Sequence, residues 1–140
     1  MTTSNTSNPK AILQKGRDRA AMVLMLLAAL GALSAFAGSV GTATAAGPET
    51  VMAEVWRMYG FLVFAGLFLL LALRPRRYVG VWELVFFHKG ALSVTAALIG
   101  GGATGAPTVV LIDGILAAMT IAAYFLARGY TGWVRFRSDR

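Results

Sequence analysis

The chain has 140 residues, 57% hydrophobic and 14% charged, with a net charge of +7, no cysteine and one histidine. A soluble domain carries about 25% charged residues, so this composition belongs to a membrane protein. The missing cysteines exclude a disulfide framework, a thiolate metal site and a Cys nucleophile, and one histidine excludes a multi-His metal centre within one chain.

The positive charge is bunched. Eleven of the thirteen Lys and Arg residues fall in three short segments: Lys10, Lys15, Arg17 and Arg19; Arg74, Arg76 and Arg77; Arg128, Arg135, Arg137 and Arg140. Each segment flanks an apolar run. That is the pattern of cytoplasmic topology signals in contact with anionic headgroups, and no nucleic-acid partner is expected.

In chain order, residues 1–19 (MTTSNTSNPKAILQKGRDR) read as a polar, basic cytoplasmic tail with room for a short surface helix where the basic residues begin. The first span is expected over about 20–40, followed by the loop GTATAAGPET, which has no positive charge. The same stretch also fits a cleaved signal peptide with Ala43-Thr44-Ala45 as its small-residue site, although its apolar run is longer than the usual 7–15 residues. The other three spans keep their orientation under either reading.

The second span is expected over 51–73, stopped by Pro75 in the basic turn RPRRY. The third is expected over 78–100, closed by GGGATGAP, where the glycines and Pro107 break helix. The fourth is expected over 108–127, and 129–140 form a basic, aromatic cytoplasmic tail. Runs of about 20 residues match a hydrocarbon core of roughly 30 Å. The loops lacking Lys and Arg fall on one side and the basic segments on the other. The expected fold is therefore all-α: a four-helix integral membrane bundle, residues 20–128, multi-pass in the inner (plasma) membrane with both termini cytoplasmic.

Trp56, Tyr78, Tyr130 and Trp133 lie near span ends, where amphipathic rings favour the interface. Met22, Met25, Met52, Met58 and Met119 are expected as apolar packing. Gly114, Ala118 and Ala122 recur every four residues on the fourth span, as do Ala28 and Ala32 on the first, a spacing that lets helices approach closely in lipid.

The ionisable residues inside the spans are the candidate site. Counting about 1.5 Å per residue from the basic ends places Lys89 at about 18 Å, Asp113 at about 22 Å and Arg57 at about 25 Å. These three form one expected polar layer, with His88 and Tyr59 beside it and Glu54 one turn above Arg57. Charges at this depth face the bundle interior and pair. Asp113 with Arg57 is the pair expected first and Lys89 with Asp113 the alternative. The layer serves either to fix helix register or to bind a ligand or handle protons. For His88 the expectation is a ring satisfied by hydrogen bonds, with a proton relay or a haem ligand as the alternative. Glu83 lies nearer the cytoplasmic end, level with Tyr124, and is expected to reach the Arg74–Arg77 turn or to sit protonated; with Asp113 it is a candidate for proton handling.

No phosphate-loop, Gly-x-Ser-x-Gly or His-Glu-x-x-His pattern is present, so no residue is assigned a catalytic role and no metal ligand or cofactor is expected. The four-span plan, RMYG (Arg57–Gly60) early in the second span and Asp113 in the last span resemble the DoxX-like group of small bacterial membrane proteins. The resemblance implies a four-helix membrane bundle, some relatives being linked to quinone-dependent redox chemistry, and carries no catalytic residue onto this chain.

Three functional readings follow. The first is an accessory or scaffold subunit of a larger membrane complex, partnered by a membrane protein or by a second copy and surrounded by membrane lipid. The second is a lipid- or quinone-binding bundle that uses Arg57, Lys89 and Asp113. The third is a small proton-coupled transporter acting as a dimer, four spans being few for a transport path.

Overall fold

The computed structural model describes residues 9–138. Among them are five α-helices and no strand: α1 (Pro9–Ala45), α2 (Val51–Leu73), α3 (Val81–Ile99), α4 (Ala106–Leu126) and α5 (Thr131–Ser138), with a short 3-10 turn over Gly100–Gly102. α1 to α4 are each long and apolar enough to cross a membrane. The chain is a multi-pass helical membrane protein.

α1 departs most from expectation. Of the polar tail expected over 1–19, residues 1–8 lie outside the described residues, and 9–19 are helical and run without a break into the first span rather than forming a separate surface helix. Pro9 is the first described residue of α1. Ala, Leu, Gln, Lys and Arg then carry the helix into the apolar run without a strong breaker. With 37 residues α1 is about 55 Å long, so its basic turns extend beyond a hydrocarbon core of roughly 30 Å. It also runs on to Ala45, absorbing half of the expected loop. The Ser39 and Thr44 hydroxyls donate to the carbonyls of Phe36 (2.8 Å) and Gly41 (3.0 Å), which occupies them within the helix.

Other boundaries shift for local reasons. Residues 78–80 belong to the turn after α2, and α3 begins only at Val81. Pro107 stands in the first turn of α4 and so opens that helix rather than ending the one before. The tail expected over 129–140 contains α5, and residues 139–140 lie outside the described residues.

α1 pairs chiefly with α2 and α3 with α4; α1 against α4 joins the two hairpins, while α2 and α3 touch only sparsely. The largest buried side chains, Trp82, Phe68, Met25, Leu71 and Val85, concentrate toward the end of the bundle where the basic segments meet. On α4 the face that packs is Ala117, Thr120, Ala123 and Ala127; Ala118 and Ala122 point outward, so the expected small-residue stripe on this span is not its interface. Gly114 alone of that stripe meets a neighbour, the Ser93 hydroxyl of α3. On α1, Ala28 and Ala32 are both buried.

Polar contacts gather three chain segments at the basic end. Arg76, in the α2–α3 turn, pairs with Asp18 of α1 at 2.6 Å, and Gln14 donates to the same Asp18 oxygen at 2.7 Å. Arg17 donates to the carbonyl of Phe125 at 3.1 Å, near the C-terminal end of α4, where a cation also meets the negative end of the helix dipole.

The chain leaves α4 through Gly129, whose amide donates to the Tyr124 carbonyl at 2.8 Å. A Cβ here would stand 2.6 Å from a Tyr124 ring carbon and 2.9 Å from Cδ1 and Nε1 of Trp82. Trp82 has nowhere to go: it is 1% exposed and its Nε1 donates to the Pro75 carbonyl at 2.7 Å. Gly129→Ala is therefore expected to cost about 1–3 kcal/mol through overpacking, seen as a lower melting temperature in detergent. Gly38→Ala, where nothing lies within 4 Å of the new methyl, is the control and should not destabilise. Equal losses in both variants would show that the ring contact at Gly129 is not what limits that position.

Candidate functional site

The expected polar layer divides into two separate pairs. Lys89 of α3 meets Asp113 of α4 at 2.8 Å, their side chains 7% and 13% exposed. The ammonium also lies 4.1 Å from the centroid of the Phe64 ring on α2, a cation–π contact that adds to the ion pair in a desolvated setting. Arg57 does not reach Asp113. It pairs with Glu54, one turn earlier on the same helix, and its side chain is half exposed. The pairing expected first is thus replaced by the alternative.

The reason is geometric. Counting from Arg77 credits residues 78–80 with helical rise, although they form a turn. Measured from Val81, Lys89 is only about 12 Å into α3. It is therefore level with Phe64, two turns along α2 from Arg57. The α3–α4 hairpin is also tightly packed, whereas α2 and α3 scarcely meet, so Asp113 is presented to α3. One turn further along α3, Ser93 donates to the Val110 carbonyl of α4 at 2.9 Å and brackets the pair.

His88 stacks on Phe64 at a centroid distance of 4.6 Å but is exposed, and it makes no hydrogen bond among the described residues. The expectation of an internally satisfied ring is not met. Tyr59 is exposed on α2 and takes no part in the Lys89–Asp113 contact. Arg57, Lys89 and Asp113 therefore do not converge on one ligand position.

A second cluster surrounds Glu83. Its Oε1 accepts hydrogen bonds from the Tyr124 hydroxyl of α4 and from Nε1 of Trp133 on α5, both at 2.9 Å. Its Oε2 is buried without a hydrogen bond among the described residues. The expected contact of Glu83 with the arginines of the turn is not made; Arg76 is held by Asp18 instead. Tyr124 is the hub here, with the rings of Trp82, Phe86, Phe125 and Tyr130 at 5.3–6.1 Å. The carboxylate thus joins α3, α4 and α5 by charge-assisted hydrogen bonds.

Sequence reasoning passed over Asp18, Phe64 and Ser93. Asp18 carried a signal, being the only acid in an otherwise basic N-terminal segment. Phe64 and Ser93 carried none, since one aromatic and one hydroxyl among many mark no partner before the helices are docked. No family model, curated protein or solved structure matches this chain.

Proposed function

We propose that the chain is an accessory subunit: a four-span bundle of the inner (plasma) membrane, both termini cytoplasmic, that docks on a larger helical membrane protein along its α2–α3 side. The orientation is supported by the gathering of Arg17, Arg76 and the end of α4 at one end, while residues 41–50 and 100–107, at the other, contain no Lys or Arg. Kinship with the DoxX-like group enters this proposal only as shared architecture.

The observation that carries the docking role is His88. Inside a span, a polar ring facing outward has no partner in hydrocarbon, and such residues mark functional contacts. His88 stands on the side of α3 that faces α2, where packing between the two helices is sparse, with Leu84 one turn before it and Phe87 adjacent, 69% and 71% exposed. The charged side chains of α2, α3 and α4 are engaged: Lys89 with Asp113, Arg57 with Glu54, and Glu83 with Tyr124 and Trp133. The Lys89 and Glu83 contacts hold helices together, Arg57 and Glu54 satisfy each other within α2, and His88 is left for a hydrogen-bonding group on a neighbouring chain.

The test is photo-crosslinking in native membranes from p-benzoyl-phenylalanine placed at Leu84, with Ile112 on α4 as the comparison. One adduct of fixed mass, larger than a doubled chain and specific to position 84, is the expected result. His88→Leu should lower its yield roughly three- to tenfold, the worth of one interhelical hydrogen bond in lipid. An adduct of exactly two chains would replace the accessory role by self-association, and labelling of lipid alone would overturn the docking side.

A further inference from the structure

We infer that the basic end of the bundle holds one anionic phospholipid, its phosphate between Arg74, Arg77 and Arg135 and an acyl chain along α2. This site is independent of the protein that the chain accompanies. Two clefts carry the inference. The first, of about 570 Å³, lies between the α2–α3 turn and α5 and is walled by Arg74, Arg77 and Arg135 with Leu73 and Phe136. The second, of about 540 Å³, shares Leu73, Arg74 and Arg77 with the first and continues down α2 over Gly66, Leu69 and Leu70. Together they make a cationic mouth opening into an apolar trough.

The arginines differ in their engagements. Arg76 is taken by Asp18 at 2.6 Å. Arg74, Arg77 and Arg135 have no carboxylate partner among the described residues. Three guanidinium groups around one cleft repel one another, and a phosphate relieves that repulsion by accepting paired N–H bonds, which a planar guanidinium is shaped to give. Leu73 is the last residue of α2, so the mouth lies where the apolar run ends and headgroups begin. Below it Leu69 and Leu73 are 45% and 62% exposed, and Gly66 has nothing within 4 Å of its missing side chain, which leaves room for a hydrocarbon chain.

The cleft is built across the fold. α5 brings Arg135 to the turn because Gly132 lies flat on it: a Cβ there would stand 3.1 Å from the Arg76 carbonyl. The arginines of the turn and of α5, nearly sixty residues apart in sequence, thereby face one volume. Lys15 and Arg19 are equally basic and belong to the same end of the molecule but line neither cleft.

The test uses the full-length protein in nanodiscs containing dioleoylphosphatidylglycerol and dioleoylphosphatidylcholine, with lipid retention read by native mass spectrometry after gentle release. The wild type should keep one phosphatidylglycerol. Arg74→Gln, Arg77→Gln and Arg135→Gln should each weaken retention about fivefold, the effect of one basic residue near an anionic surface. Lys15→Gln and Arg19→Gln should leave it unchanged. Gly66→Phe, which fills the trough and removes no charge, should also release the lipid. Equal retention of both lipids, or equal losses at Lys15 and Arg135, would overturn the site. So would inorganic phosphate raising the melting temperature as far as the intact lipid, since the trough would then contribute nothing.

Discussion

Lys89→Met should destabilise the bundle by about 3 kcal/mol, read as an earlier unfolding midpoint in a detergent titration. The substitution nearly conserves volume, so packing around Phe64 and Asp113 changes little. What changes is that the Asp113 carboxylate, its side chain 13% exposed, loses the ammonium 2.8 Å away. Ser93, one turn along α3, is already donating to the Val110 carbonyl and would have to give up that bond to turn to Asp113. Breaking one half of a buried ion pair costs about 3–5 kcal/mol, and the lower figure applies because the unfolded chain in a micelle also finds partners for its polar groups.

The reverse substitution, Asp113→Leu, strands Lys89 against the Phe64 ring. A cation–π contact is worth about 2 kcal/mol when desolvated and cannot replace the carboxylate. The double variant Lys89→Met with Asp113→Leu should regain most of the loss, because removing both charges also removes their desolvation penalty. Recovery of stability together with crosslinking from Leu84 would assign the pair to holding α3 on α4. An unchanged midpoint in Lys89→Met would contradict the burial of the pair.

The contrast between Arg57 and Lys89 shows how far the sequence can be read. The spans were legible because burial in lipid demands about twenty apolar residues in a row, a requirement local to each helix. The convergence of the basic segments was legible for the same reason, each lying directly beside an apolar run. Partners were not legible, because pairing depends on azimuth and on which hairpin packs tightly. Height along the membrane brought Arg57, Lys89 and Asp113 into one layer. That height was misjudged because residues 78–80 turn rather than climb. Lys89 lies level with Phe64, two turns along α2 from Arg57. Arg57 therefore pairs with Glu54, and Lys89 meets Asp113 across the tight α3–α4 hairpin.

Residue-type patterns failed in a similar way on α4. A four-residue repeat of small side chains picked out Gly114, Ala118 and Ala122, but Ala117, Thr120, Ala123 and Ala127 form the interface. α4 has enough alanine for two faces, and only docking against α1 and α3 selects one. α5 was hidden for another reason. Its eight residues carry no apolar run, and what fixes it is contact with distant groups: Gly132 on the Arg76 carbonyl and Trp133 on Glu83.

Glu83→Leu should release α5 from the bundle, and trypsin should then cleave after Arg135 and Arg137 about thirtyfold faster than in the wild type. Glu83 holds α5 through Trp133 and steadies the surface beneath it through Tyr124, each at 2.9 Å. Hydrogen bonds to a charged group are worth about 1.5–3 kcal/mol, and Trp133 recovers part of its loss from water because it is 37% exposed. A net of about 2 kcal/mol corresponds to that thirtyfold rise in the opened population, which cleavage follows when reclosing is fast. Glu83→Gln should fall between, since its carbonyl oxygen still accepts while its amide N–H groups enter the position where Oε2 is buried without a partner. Trp133→Phe removes a single bond and should raise cleavage about fivefold. Arg135 belongs to the same helix, so Glu83→Leu should also lower phosphatidylglycerol retention although it alters no residue of the cleft. If cleavage rates in Glu83→Leu matched the wild type, α5 would be held by Gly132 and the turn alone, and the carboxylate would have no part in positioning it.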